Sequence, residues 1–267
     1  MKRWLVLFSG VGYEWTTERI FNGAASHGVD EIRCYDDVWL EKHPSRQLNK
    51  HLFETKDTRG RGWFFWKPMI ILDTFKVAAP GDVVMYLDSD TYWASAPSAI
   101  PLYDLCERDG IVCFDCSGRM SHHWTRRDCF IAMDQDESKY HNSLAGCARF
   151  GLWKVGDYRA EQFLYEWLCY SINTLCNTRE KVGEEDKPSR YGAELPEFQT
   201  ERGSGYCEHR TEQAIYTLLA HKYGIPLQPE ASAGGSAGVG LSYFEQSHDT
   251  SSINPGVHCK HFNVPMP

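Results

Sequence analysis

No stretch of this chain of 267 residues approaches the run of about 20 apolar residues that a membrane helix needs, so no spanning helix is expected. The first apolar run, residues 4–8 after Met1-Lys2-Arg3, is shorter than the roughly 7–15 residues of a secretory signal core and reads as a β-strand. A cytoplasmic setting is the expectation, with a membrane-associated or Golgi setting left open. Basic charge is scarce as well. The 28 Lys and Arg against 36 Asp and Glu leave a net charge of −8, and nucleic-acid surfaces instead carry a basic stripe that neutralises several phosphates. Internal repeats are absent, and no shift in composition marks a second domain, so one unit over residues 1–267 is expected.

Zinc-site spacing is missing too. The ten cysteines include one C-x-x-C pair, Cys113 and Cys116, without a second pair at the separation a zinc site needs. A disulfide framework belongs to much smaller secreted chains, so buried, reduced thiols are expected. A third glycine after Gly10 and Gly12 is also lacking, which removes the dinucleotide fingerprint G-x-G-x-x-G.

What the sequence does contain is an alternation of short apolar runs and helical patterns in its first half, the mark of βαβ units and a mainly parallel sheet flanked by helices. Residues 4–8 lead through Ser9-Gly10-Val11-Gly12 to a helix from about Thr17 that carries Ile20 and Phe21 and stops at Gly28. A strand over residues 32–35 ends in Asp36-Asp37. Arg59-Gly60-Arg61-Gly62 reads as a loop, and Pro68 as the first residue of the next helix. Pro80-Gly81 turns the chain into residues 83–87, apolar throughout, as expected of a strand buried on both faces. Residues 110–114 predict another strand with Asp115 at its exit, and Thr125-Arg126-Arg127-Asp128 has capping-box spacing. A long amphipathic helix is predicted from Asp157, with Phe163, Leu164, Trp167, Leu168, Ile172 and Leu175 on its apolar face. A last helix carries Ala214, Ile215, Leu218 and Leu219 and stops at Gly224. Residues 181–205 and 231–240 have loop composition and are candidates to close over a ligand.

The chemistry concentrates at Asp88 and Asp90. In a parallel α/β sheet ligands bind beyond the carboxyl ends of the strands, and this acidic pair directly follows the most apolar strand in the chain. Residues two apart on a strand share a face, so both carboxylates are expected to approach one hard cation, Mg²⁺ or Mn²⁺, whose other ligands are phosphate oxygens. An ordinary solvated turn is the plain alternative.

Val84-Met85-Tyr86-Leu87-Asp88-Ser89-Asp90-Thr91 resembles the hydrophobic strand and DxD signature of GT-A glycosyltransferases, including the glycogenin-like group. The resemblance implies a GT-A-like mixed, mainly parallel sheet with a nucleotide- and metal-binding half over residues 1–115 and an acceptor-binding half over residues 116–267. It also implies that the Asp88-Ser89-Asp90 segment holds Mn²⁺ or Mg²⁺ with the ribose and diphosphate of a nucleotide diphosphate sugar, of the UDP class by the glycogenin-like likeness. His261-Phe262-Asn263 is similar to the His-Phe-x-Gly element whose histidine completes the metal site, although Val264 replaces the glycine and Pro265-Met266-Pro267 replaces Lys-Pro-Trp. His261 is thus the expected third ligand, with His258 as its rival. Gly62-Trp63-Phe64-Phe65-Trp66-Lys67-Pro68 and His209-Arg210-Thr211-Glu212-Gln213 resemble the W-K-P and H-R-x-D-Q elements of predicted glycosyltransferases.

Further site residues follow from topology and chemistry. Ser9, Gly10 and Tyr13, past the first strand, are expected against the nucleotide, and Asp36 against ribose or base. Lys67, with Arg59 or Arg61, is expected to meet the donor phosphates. Glu212 at a helix start, where the dipole favours a carboxylate, is the expected general base of an inverting transfer or the acceptor-positioning group of a retaining one; Asp115 is a second catalytic candidate. Trp63, Trp66, Trp93 and Trp124 are candidates to stack on sugars, and His122 and His123 to line the acceptor site. Two rivals stand beside this reading: a phosphohydrolase of the haloacid-dehalogenase type, whose motif places Thr where Tyr92 stands, and a non-catalytic carbohydrate-binding protein on a degenerate transferase fold.

Overall fold

The structure, a computed structural model, describes residues 1–54, 60–93, 98–178, 198, 205–233 and 244–246. Its centre is explained by three early strands, β1 (Arg3–Ser9), β2 (Glu31–Asp36) and β3 (Val83–Leu87). Side chains alternate across a strand. Leu5 and Leu7 of β1 join Val83, Met85 and Leu87 of β3 in one layer of core, while Val6 and Phe8 join Val84 and Tyr86 in the other. The unbroken apolar runs therefore arise because helices cover both faces of these strands. The first layer is closed by Ile20 and Ala24 of the helix Glu14–Ala24 and by Leu102 and Tyr103 of the helix Ile100–Asp109. The second is closed by the helices Trp66–Phe75, Tyr158–Ser171 and Thr211–Lys222.

Later strands complete the architecture: β4 (Thr91–Trp93), β5 (Ile111–Met120), β6 (Leu144–Gly146), β7 (Phe150–Lys154), β8 (Leu227–Gln228), β9 (Ser232–Ala233) and β10 (Phe244–Gln246). The large sheet has the order β2-β1-β3-β7-β5-β6, with β8 beside β5. β1 is parallel to β2 and β3, and β5 to β8; β7 is antiparallel to both β3 and β5, and β6 to β5. The fold is thus a mixed α/β sheet with most strands running one way, as the sequence predicts. β4, β10 and β9 form a small second sheet in which Gln246 pairs with Thr91, the residue after Asp90.

Several boundaries differ from expectation. The first helix begins at Glu14 and ends at Ala24, followed by a short 3₁₀ turn that Gly28 closes at φ 82°. Pro68 sits inside the turn that opens the helix Trp66–Phe75, two residues after its start. The strand expected to end at residue 114 continues to Met120, so Asp115 lies within β5 opposite Gly146. Thr125 does not cap the helix Arg127–Ala132; Asp128 instead pairs with buried Arg126 at 2.7 Å. The helix from Asp157, whose carboxylate accepts the Ala160 N–H at 3.0 Å, ends at Ser171, which leaves Ile172 exposed and Leu175 in a separate turn.

Candidate active site

The chain around residue 60 takes an unusual path that shapes one wall of the site. Gly60, Arg61, Gly62, Trp63 and Phe64 all have positive φ, between 52° and 84°. For L-residues this left-handed winding costs about 1–2 kcal/mol each, and two glycines spare part of that cost. The turn delivers Arg61 to Gly10, where an added Cβ would meet its guanidinium at 2.9 Å. Arg61 forms an ion pair with Asp37, whose carboxylate also accepts the Val11 N–H at 3.1 Å.

Beyond β3 the chain turns at once: the Thr91 N–H donates to the Asp88 carbonyl at 3.0 Å. Asp88 and Asp90 therefore sit on a turn and not on one face of a strand. Both still open into the same cavity, of about 720 Å³, at the carboxyl ends of β1 and β3. Its wall takes Gly10 and Tyr13 from the β1 exit, Arg61 and Phe64 from the left-handed turn, Arg149 from the start of β7, and Arg210, Thr211, Glu212 and Gln213 from the start of a helix. Phe8, stacked on Trp66 at 4.2 Å between ring centroids, forms part of the floor. The volume falls in the range of small-molecule sites.

Lys67 organises the charges. Its ammonium lies 2.9 Å from one Asp88 oxygen, 3.3 Å from the other, 3.1 Å from Glu212 and 3.2 Å from the Ala148 carbonyl. Burial opposes its charge, yet Asp88 and Glu212 outweigh that and hold it well above the usual lysine value. Burial pushes the Asp88 carboxyl up to about 6, against the pull of Lys67 and with help from the nearby charge of Asp90. The Tyr86 hydroxyl donates to Asp88, and burial together with that charge keeps it protonated. Glu212 also accepts the Thr211 hydroxyl at 2.8 Å.

Of the residues singled out in the sequence, Gly10, Tyr13, Arg61, Trp66, Lys67, Asp88, Ser89, Asp90 and Glu212 meet in this cavity. Others have different work. Ser9 is buried and accepts the Thr17 hydroxyl at 2.9 Å, and Asp36 caps a short helix by accepting the Trp39 N–H at 2.7 Å. The carboxylate that reaches the cavity rim is its neighbour Asp37, through Arg61. Asp115 does not line the cavity, nor do His122 and His123, which bond the backbone of His141 and Met120. Trp63 and Trp93 are core residues, and Trp124 stacks under Arg210. Cys113 and Cys116 are buried thiols. His261, His258 and Arg59 lie outside the described residues, as do most of residues 181–205 and 231–240.

The sequence does not mark Arg149, and it marks Arg210 and Gln213 only as members of the His209-Arg210-Thr211-Glu212-Gln213 element, without a role for either. Arg149 enters the site only because β7 inserts antiparallel beside β3, and nothing local in the sequence marks that pairing.

No protein-family model matches this sequence, and no curated protein does either. Among solved structures, the chain is similar to a glycosyltransferase involved in glycosylation of the major capsid of PBCV-1, at 10% identity and a TM-score of 0.48, covering 93% of this chain and 96% of that one. It is similar to mouse xyloside xylosyltransferase 1 at 8% identity and a TM-score of 0.49, covering 95% and 100%.

Proposed function

We propose that this chain is a glycosyltransferase that moves a hexose from a nucleotide diphosphate sugar, of the UDP class, to a hydroxyl of a glycan or other acceptor. The observation that carries the reading is the placement of Asp88 and Asp90 on the turn after the most buried strand, facing a cavity shared with Glu212. Their oxygens are hard donors that suit Mn²⁺ or Mg²⁺. Among the described residues no group of three His, Cys, Asp or Glu could hold a metal ion, and His261, the expected third ligand, lies outside them; Asp88 and Asp90 would hold the ion together with the donor's phosphates. When bound, the ion neutralises the diphosphate leaving group as a Lewis acid.

The chain's own residues do the rest. Gly10, which makes room for the Arg61 guanidinium, lines with Tyr13 and Arg61 the side of the cavity past β1 where the nucleotide would lie. Lys67 holds Asp88 and Glu212 through one nitrogen and so fixes the spacing between the donor-binding carboxylate and the one that faces the acceptor. In the transfer, a bond forms from the acceptor oxygen to the sugar's anomeric carbon. The bond from that carbon to the phosphate oxygen breaks, and the nucleoside diphosphate leaves with the electron pair. Glu212 takes the hydroxyl proton in an inverting transfer; in a retaining one it orients the acceptor, whose proton passes to the departing phosphate oxygen.

Calorimetric titration of UDP-, GDP- and other nucleotide sugars, with Mn²⁺ and with chelator, followed by assay of released nucleotide, tests this. Manganese-dependent binding of one nucleotide class with turnover is expected, and Asp88→Asn or Asp90→Asn should lower turnover on the order of 100-fold or more. Full activity in both variants sinks the assignment. Binding without nucleotide release is the result a non-catalytic binder would give.

A further inference from the structure

The sheet order gives the cavity two sides. β1 and β7 flank β3, and antiparallel pairing sets Phe150, the first residue of β7, against Leu87, the last of β3. Gly10 and Arg149 therefore stand on opposite sides of Asp88, about 10 Å apart at two strand spacings. Arg210 belongs to the Arg149 side: its N–H donates to the Trp124 carbonyl beyond β5, and its helix bonds the Gly146 N–H of β6 through Thr217 at 2.9 Å.

Both guanidiniums are held in place by carboxylates that do not line the cavity. Glu230, only 5% exposed, accepts from Arg149 Nη2 at 3.2 Å and from the Ser117 hydroxyl. Glu208 accepts from Arg210 Nε at 3.0 Å, and the Arg210 guanidinium lies 3.9 Å from the Trp124 ring centroid. A planar guanidinium fixed in this way is suited to bidentate recognition of carboxylate or phosphate. Under the transferase reading the donor's diphosphate would be met at the centre by Asp88 and Asp90 with their cation, and on the Gly10 side by Arg61.

We propose that Arg149 and Arg210 form an anion subsite on the acceptor side, so that the acceptor hydroxyl belongs to a molecule bearing a carboxylate or a phosphate. This rests on the transferase reading above. The test is acceptor selectivity at saturating donor, with a neutral methyl hexoside, the matching methyl hexuronide and a hexose phosphate. Wild type should prefer one anionic acceptor to the neutral one by about tenfold or more in kcat/KM, the worth of one charged hydrogen bond; which one it prefers names the anion. Arg210→Gln and Arg149→Gln should each bring that ratio towards one by raising acceptor KM, with Arg210→Lys restoring part of it. Arg210 lies at the rim, so its variants keep the question answerable even where Arg149→Gln fails to fold. A wild-type ratio near one overturns the inference, as does a rise in donor KM as large as that in acceptor KM, which would assign the arginines to the diphosphate. Absence of nucleotide release from wild type with every donor and acceptor would instead remove the transferase reading itself.

Discussion

At the residue scale, the side chain of Lys67, only 2% exposed, sets the strongest constraint in the site. One ammonium offsets two carboxylates in a region where an unpaired charge is costly. Lys67→Met would leave Asp88 and Glu212 facing each other without a cation, and loss of one partner from a buried pair costs about 3–5 kcal/mol. Urea denaturation should show that loss, and the variant should also bind donor poorly because the carboxylates lose their common anchor. Wild-type stability in Lys67→Met would refute the clamp. Asp82 is a second single-residue lock. Its carboxylate accepts from the Lys2 N–H at 2.7 Å, the Trp4 indole at 3.0 Å and the Ala79 N–H at 3.0 Å, joining the start of β1 to the start of β3. Burial pushes its carboxyl up, but these three donors win and hold it below the ordinary value. A depressed folded value means the contribution is present above the unfolded value near 3.9 and lost as pH falls through the folded one. Asp82→Ala should therefore cost about 2 kcal/mol at pH 7, with the gap to wild type closing in strongly acidic buffer.

At the scale of elements, the left-handed turn over residues 60–64 is where local preference and tertiary demand conflict. Arg61, Trp63 and Phe64 occupy a region that L-residues avoid, and such strain persists where the surroundings over-determine it. Here buried Trp63 and Phe65, and the Trp66 indole donating to the Gly60 carbonyl at 2.9 Å, hold the turn in place. Gly62 has φ 84°, and a Cβ there would lie 2.8 Å from the Phe53 ring. Gly62→Ala should thus destabilise by about 1–2 kcal/mol from the backbone alone, more with the clash, and should weaken donor binding because Arg61 moves with the turn. A thermal melt and a titration would read both; an unchanged melting temperature would contradict the described conformation.

For the whole molecule, the net charge of −8 is unevenly spread: four basic side chains gather at one cavity. The wall carries Arg61, Lys67, Arg149 and Arg210 beside Asp88, Asp90 and Glu212, while Asp37, Glu230 and Glu208 pair with the three arginines without lining the cavity, so an anionic ligand would meet oriented guanidiniums and, under the proposed reading, a divalent ion. Clefts with low-dielectric walls concentrate such fields. If donor and ion bind together, donor at 100 times its Kd stabilises the fold by about 2.7 kcal/mol, a rise of several degrees in melting temperature for a chain of this size. That rise should appear with Mn²⁺ and vanish with chelator. An equal rise in both conditions would show that the donor does not need the ion.

How much of this was legible in the sequence depends on the range of the forces involved. Apolar runs at residues 4–8 and 83–87, with Gly28, Pro80-Gly81 and Gly224 as punctuation, announced the parallel half of the sheet because burial on both faces leaves a local trace. The Asp-x-Asp pair announced itself by following such a run, and Glu212 by standing at a helix start. Other features left no local trace. β7 pairs antiparallel between β3 and β5 through contacts some 40–70 residues apart in sequence, and it alone brings Arg149 beside Asp88. Asp36 and Asp37 are chemically alike; a cap geometry assigns the first to the backbone and the second to Arg61. Lys67 is expected from the sequence to meet donor phosphates, but nothing local foretells that it is buried against Asp88, Glu212 and the Ala148 carbonyl, because only the assembled sheet brings two carboxylates and a carbonyl to the same nitrogen. The sequence by itself determined the fold class and the acidic pair, both products of short-range patterning. The tertiary structure decided which charges face the cavity and which face each other, because electrostatic partners are selected by distance in space and not along the chain.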